Sequence, residues 1–138
     1  LEHVEHERIL LRELKRVDKF IVVELPKDYR FGVDKRMKHF LDYGHINMYT
    51  PTSLRFLLQS EGLEILEDKV SMTAPETTKF NEFINRKAPK TFSKNLKIEL
   101  EYRLKKVLGN FLGRKKQEQF ANAYTVLTQK SDSNLQIF

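Results

Sequence analysis

Apolar residues recur at helical spacing over 5–17 (EHERILLRELKRV). Leu10, Leu14 and Val17 repeat there, with Ile9 and Leu11 beside them and a charged face opposite, which predicts an amphipathic helix. Asp18-Lys19 breaks the pattern. Phe20-Ile21-Val22-Val23-Glu24-Leu25 follows as a nearly continuous apolar run closed by Pro26. Such a run predicts a strand buried on both faces, as in parallel sheets. Residues 27–48 keep no clean period and hold Tyr29, Phe31, His39, Tyr43, His45 and two glycines. A connection this long in a compact domain usually carries function or covers something.

Thr50-Pro51 then supplies an N-cap and a first helical position. Leu54, Leu57 and Leu58 form the stripe to be buried, and Gly62 supplies the stop. Leu63 to Met72 is the next expected strand. A weaker helix is expected over 75–88, ended before Pro89, and a strong one over 92–112. In the latter Leu96, Leu100, Leu104, Val107, Leu108 and Phe111 share one stripe, and Gly109 and Gly113 loosen its end. Tyr124-Thr125-Val126-Leu127-Thr128 reads as the last strand. Alternating helices and strands predict an α/β sheet with helices on its faces. Three strands with this much helix make a poor closed domain.

Charge refines this picture. The chain has 138 residues and a formal net charge of +6, but the excess is local. Residues 76–118 carry 12 Lys/Arg against 5 Asp/Glu, while the remainder carries 13 against 14. A basic segment attracts phosphates, acidic lipids or acidic proteins, although most charge runs simply face water. The absence of cysteine excludes disulfides, thiolate metal sites and a cysteine nucleophile. It fits a reducing compartment. No apolar run approaches the roughly 20 residues needed to span a bilayer. The first residues are charged, lack the apolar core of a signal peptide and do not start with Met. A cytoplasmic protein whose front lies upstream of Leu1 is therefore expected.

Three segments stand in an informative order: Leu1-Glu2-His3-Val4, followed by Leu11-Arg12-Glu13-Leu14-Lys15-Arg16-Val17; then Gly44-His45-Ile46-Asn47-Met48-Tyr49-Thr50-Pro51-Thr52-Ser53-Leu54; then Leu57-Leu58-Gln59-Ser60-Glu61-Gly62-Leu63-Glu64-Ile65. Together they resemble class I S-adenosylmethionine-dependent methyltransferases. In that family an LEH segment follows the fourth strand, and an L-x-E-L-x-R-V helix leads into the fifth. A GH-x-N-x-(Y/F)-(T/S)-P-x-S-L segment then precedes L-L-x-x-x-G-(F/L)-x-(I/V). The resemblance covers residues 1–72, with 123–130 as the seventh strand. It implies the C-terminal half of a Rossmann-like sheet with a helical insert before the last strand.

The implied organisation is 1–74 as the α/β core half, 75–118 as a basic helical insert that caps the acceptor site or makes an oligomer contact, and 119–138 as last strand and tail. The implied cofactor is S-adenosylmethionine. The sequence has no strand followed by a Gly-x-Gly turn, so most of the cofactor's site is expected outside this chain, which should then be inactive alone. The implied reaction is in-line methyl transfer, in which the protein aligns nucleophile and methyl and removes a proton where needed. Glu2 and His3 fall where the family's chain passes the cofactor. His45 is the candidate general base, since an imidazole titrates near neutrality. Tyr43, Asn47, Tyr49 and Tyr29 are candidates for lining the acceptor pocket; packing of the loop is the plainer role for them. Some relatives bind a divalent metal through a Glu-x-x-Glu-His motif with a later His. Glu2, His3 and His45 match its end, but Glu and His there are hydrogen-bonded in metal-free relatives, and no metal is assigned.

The acceptor is expected to be a small molecule or a nucleotide-linked one. Nucleic acid is admitted but not favoured, no membrane partner is expected, and a half-sheet invites homo-oligomers. The alternative function is a non-catalytic basic module that binds nucleic acid or an acidic partner through 76–118.

Overall fold

In a computed structural model, residues 1–27 and 44–131 are described. The chain is α/β, with a three-stranded antiparallel sheet. Helix α1 spans Glu7–Val17, strand β1 Phe20–Pro26, helix α2 Pro51–Ser60 and strand β2 Leu63–Ser71. A short helix α3, Pro75–Phe80, continues as a π-helical turn over Asn81–Asn85. Helices α4 (Phe92–Leu112) and α5 (Arg114–Phe120) precede strand β3, Ala123–Lys130. The chain divides into two compact units, Leu1–Lys69 with Ala123–Phe138, and Val70–Asn122. Among the described residues no helix is long and apolar enough to cross a membrane.

In the first unit the strand order is β1-β3-β2. β3 runs antiparallel to β1, pairing Ile21 with Thr128, Val23 with Val126 and Leu25 with Tyr124. These six side chains are buried and share one face. Thr128, fully buried, donates from its hydroxyl to the Ile21 carbonyl at 3.1 Å. The links Gln129–Glu64 and Tyr124–Asp68 run in opposite order along the two strands, so β3 is antiparallel to β2 as well. Two expectations for β1 are overturned here. It is not buried on both faces, since Phe20, Val22 and Glu24 face outward and Val22 is 66% exposed. Its neighbour is antiparallel, and antiparallel sheets commonly leave one face uncovered.

α2 forms as its local signals demand. The Thr50 hydroxyl accepts from the Ser53 N–H at 3.1 Å, and the Ser53 hydroxyl accepts from the Thr50 N–H at 2.9 Å. This reciprocal cap satisfies donors that the first turn would leave open. Leu54, Leu57 and Leu58 are buried as the stripe predicts. Fully burying side chains of this kind contributes about 1.5–3 kcal/mol each. Gly62 follows at φ +73, a left-handed conformation that glycine adopts without strain. α1 departs from expectation. Its most buried residue is Leu11, with Arg8 and Lys15 half-buried on the same side, while Ile9 and Val17 face water.

In the second unit α4 starts at Thr91, whose hydroxyl accepts from the Lys94 N–H at 3.3 Å. Lys79 of α3 donates to Glu99 of α4 at 2.5 Å. Gly109 does not loosen the helix end. It is buried, and a Cβ there would come within 3.2 Å of Gln117 Cγ, so it lets α5 approach closely. Gly113, at φ +79, makes the stop.

Candidate functional site

The first turn of the chain and the segment leading into α2 are tied together. The Ile46 and Asn47 N–H groups donate to the Glu2 carbonyl at 2.9 and 3.1 Å. The Asn47 amide donates to the carbonyls of Val4 at 2.7 Å and Leu1 at 3.3 Å. Asn47 is therefore spent on holding the two segments. The capped start of α2 fixes one of them, and α1 fixes the other.

Three chemical side chains meet across this clasp. One ligand-type atom each of Glu2, His3 and His45 lies within 4.8 Å of the others. His3 Nε2 is 3.9 Å from Glu2 Oε1. The His3 and His45 rings meet edge to face, with centroids 4.7 Å apart. His3 Nδ1 lies 2.9 Å from the Gly44 carbonyl oxygen. A carbonyl only accepts, so in the neutral ring Nδ1 carries the proton and Nε2 keeps its lone pair. That nitrogen faces the Glu2 carboxylate. Gly44 holds φ +67, a conformation that orients its carbonyl and that glycine alone adopts freely.

The electrostatics favour a charged carboxylate. Burial raises the Glu2 carboxyl, while its own backbone N–H and the charge of a protonated His3 lower it. Tyr49 is half-buried, and its phenol is pushed up to about 12 by burial and by the negative charges of Glu7 and Glu2. It stays protonated near neutrality and so has a proton to donate in a hydrogen bond. One carboxylate and two imidazoles suit a divalent transition ion. The Gly44 carbonyl behind His3 is the outer support that metal-ligating histidines use.

Of the residues expected at a site, Glu2, His3, His45, Asn47 and Tyr49 come together, with the role of Asn47 now visible. Tyr29 and Tyr43 lie outside the described residues, as do Phe31 and His39. His6 faces water. One group escaped sequence reasoning: Glu61, which ends α2 and is clamped by Arg8 and Arg12 of α1. Its available signal was the recurrence of Arg8, Arg12 and Lys15 along one side of α1. No family model matches the chain, and no curated protein matches it.

Proposed function

We propose that this chain is the acceptor-side part of an S-adenosylmethionine-dependent methyltransferase. One observation carries the proposal. The Glu2-His3 segment and the Gly44–Tyr49 segment, 41 or more residues apart, clasp each other and converge on Glu2, His3 and His45. These are the two segments on which the family resemblance rests. The strand order lends support. β1 is an edge strand among the described residues, so its outer backbone edge is open to a further strand, and its outward Phe20 and Val22 leave that face open to a further layer.

The cofactor would supply an electrophilic methyl group. Glu2 and His3 are the residues offered to it, and the chain has no Gly-x-Gly turn after a strand to grip the rest. His45 accepts the proton of the acceptor nucleophile. Tyr49 donates a hydrogen bond to the acceptor; Tyr29 and Tyr43 are acceptor-pocket candidates from the sequence alone. The acceptor is a small or nucleotide-linked molecule.

A second reading is favoured by the donor set itself. Glu2, His3 Nε2 and His45 would hold a divalent cation, which would supply positive charge to orient the acceptor and lower the acidity barrier of its nucleophile. The test of the main proposal is equilibrium dialysis of radiolabelled S-adenosylmethionine against the protein purified from its source. Saturable binding that Glu2→Gln weakens is expected. No saturable binding would end the proposal.

A further inference from the structure

Helix α4 carries a solvent-facing apolar ridge that neither the fold nor the proposed site uses. Phe92, Leu96, Leu100, Leu104, Val107 and Phe111 follow one another at intervals of three or four residues, so they line one side of the helix. All are exposed, from 46% at Leu96 to 82% at Phe92 and 90% at Phe111. The opposite side holds Ile98, Tyr102 and the buried Gly109, and packs within its own unit. The ridge runs the length of a 21-residue helix, roughly 30 Å at 1.5 Å per residue. A contiguous exposed apolar strip of this size on a soluble surface marks an interaction site.

The charges around the ridge say what should cover it. Both acidic residues of α4 are already paired, Glu99 with Lys79 at 2.5 Å and Glu101 with Lys105 at 3.5 Å. Lys97 and Arg103 stand at its margins with Lys94 further round, and Arg114, Lys115 and Lys116 follow in α5, whereas Lys106 turns away to lie 5.9 Å over the Tyr102 ring. Lys94 and Lys97 have no ion-pair partner among the described residues. A second copy laid on this face would bring two such basic rows together, and like charges repel. An anionic occupant relieves that charge.

The geometry points to α4 as an amphipathic helix that lies on an anionic lipid surface. Its Phe and Leu ridge would enter the boundary of headgroups and acyl chains. Its Lys and Arg side chains, with apolar stems and charged heads, would reach up to the headgroup phosphates. The two most exposed ridge residues, Phe92 and Phe111, stand at its two ends, and a fluid surface accepts such projections without a matching groove. The expectation of no membrane partner rests on spanning length alone, which a surface-lying helix does not need. The inference stands whether or not the chain is a methyltransferase.

Co-sedimentation of the full chain with vesicles tests it. One set is phosphatidylcholine, the other phosphatidylcholine with about a third phosphatidylglycerol. Binding to the anionic vesicles is expected, at least tenfold stronger than to the neutral ones and weakened by salt. Leu100→Glu with Val107→Glu should reduce it at least tenfold while leaving the circular dichroism spectrum unchanged, because both sites face solvent. Phe111→Ser, a milder change, should reduce it in the same direction. Three results would each overturn the inference: no sedimentation with anionic vesicles, equal binding by the ridge variants, or a wild-type dimer without vesicles that the ridge variants make monomeric.

Discussion

Arg8 Nη1 lies 2.6 Å from Oε1 of Glu61, which is only 4% exposed. Arg12 Nε reaches the other carboxylate oxygen at 2.7 Å, and Lys15 Nζ donates to the Glu61 backbone carbonyl at 2.5 Å. Three basic residues on successive turns of α1 thus meet the residue that closes α2 and its carbonyl. Removing one partner of such a pair leaves the others uncompensated. Because the arginines are partly in water, Glu61→Gln should cost about 2–3 kcal/mol, less than for a fully buried pair. The fall in urea midpoint with an unchanged slope measures it.

The same group dictates an acid limit. Burial raises the Glu61 carboxyl, but the hydrogen bonds and charges of Arg12 and Arg8 outweigh it and hold it below its ordinary value of 4.5. The folded state therefore binds the proton more weakly than the unfolded chain. Its stabilisation is complete above about pH 4.5 and is lost as pH falls through the lower folded value. Unfolding free energy followed from pH 6 to pH 3 should drop more steeply in the wild type than in Glu61→Gln. Equal slopes would mean that the clamp does not form.

Much of this architecture follows from local rules, and the failures share one cause. The start of α2 was legible because Thr50, Pro51 and Ser53 act on neighbours in sequence. The inner face of α1 was not, because counting Leu10, Leu14 and Val17 ignores Glu61, which draws Arg8 and Lys15 inward from the far end of α2. The apolar run of β1 concealed its alternation, since Val22 is as apolar as Val23 yet faces water. The meeting of Glu2, His3 and His45 depends on hydrogen bonds across more than 40 residues, so only the order of family-like segments hinted at it. The cysteine-free composition carried no information about that meeting.

Gly44 should control His3. Gly44→Ala forces a side chain onto a residue at φ +67, although its Cβ would meet His3 Nδ1 only at an ordinary 3.9 Å. The cost is therefore strain rather than clash, about 1 kcal/mol. Relaxation of that strain turns the carbonyl away from His3, and the imidazole loses its fixed tautomer. Nitrogen-15 NMR of the histidine side chains should report a mixture of tautomers for His3 in the variant and an Nδ1-protonated ring in the wild type. An unchanged His3 spectrum would count against the role of the carbonyl.

The Glu2, His3 and His45 cluster should bind a divalent transition ion by itself. Calorimetric titration with Zn²⁺, followed by Mn²⁺, is expected to give one site per chain. His3→Ala and His45→Ala should each abolish it, while Glu2→Gln weakens it. Gly44→Ala should weaken it about 10- to 100-fold, the usual effect of losing outer support. A stoichiometry unaffected by all three ligand substitutions would assign the metal elsewhere and leave the cluster as a hydrogen-bonded clasp.

Tyr124 should limit stability in alkali. Its hydroxyl donates to Asp68, which Arg55 also holds at 2.7 Å, and the Arg55 guanidinium lies 5.0 Å over the Tyr124 ring. Burial, then the Asp68 hydrogen bond, pushes the phenol up from 10.0. The folded state favours the protonated phenol, so its contribution is complete below about pH 10 and is lost as pH rises toward the higher folded value. Tyr124→Phe should cost about 1 kcal/mol at pH 7 and flatten the alkaline loss. Tyr49, also raised, should leave part of that loss in place.

The basic excess of 76–118 offers the last test, because it separates an acceptor role from a solvated surface. Lys105 and Lys106 line a cleft of the second unit with Gly109, Asn110 and Gln117, while Lys115 and Lys116 stand exposed on α5. Changing all four to Gln should weaken binding of a phosphorylated ligand such as a nucleoside diphosphate. For every phosphate that no longer meets a lysine, the dependence of log Kd on log salt should also become less steep. Restoring Lys105 and Lys106 alone should recover most of the affinity, since only they face the cleft. If the quadruple variant binds with the same affinity and salt slope as the wild type, the excess is a solvated face and the acceptor carries no phosphate recognised there.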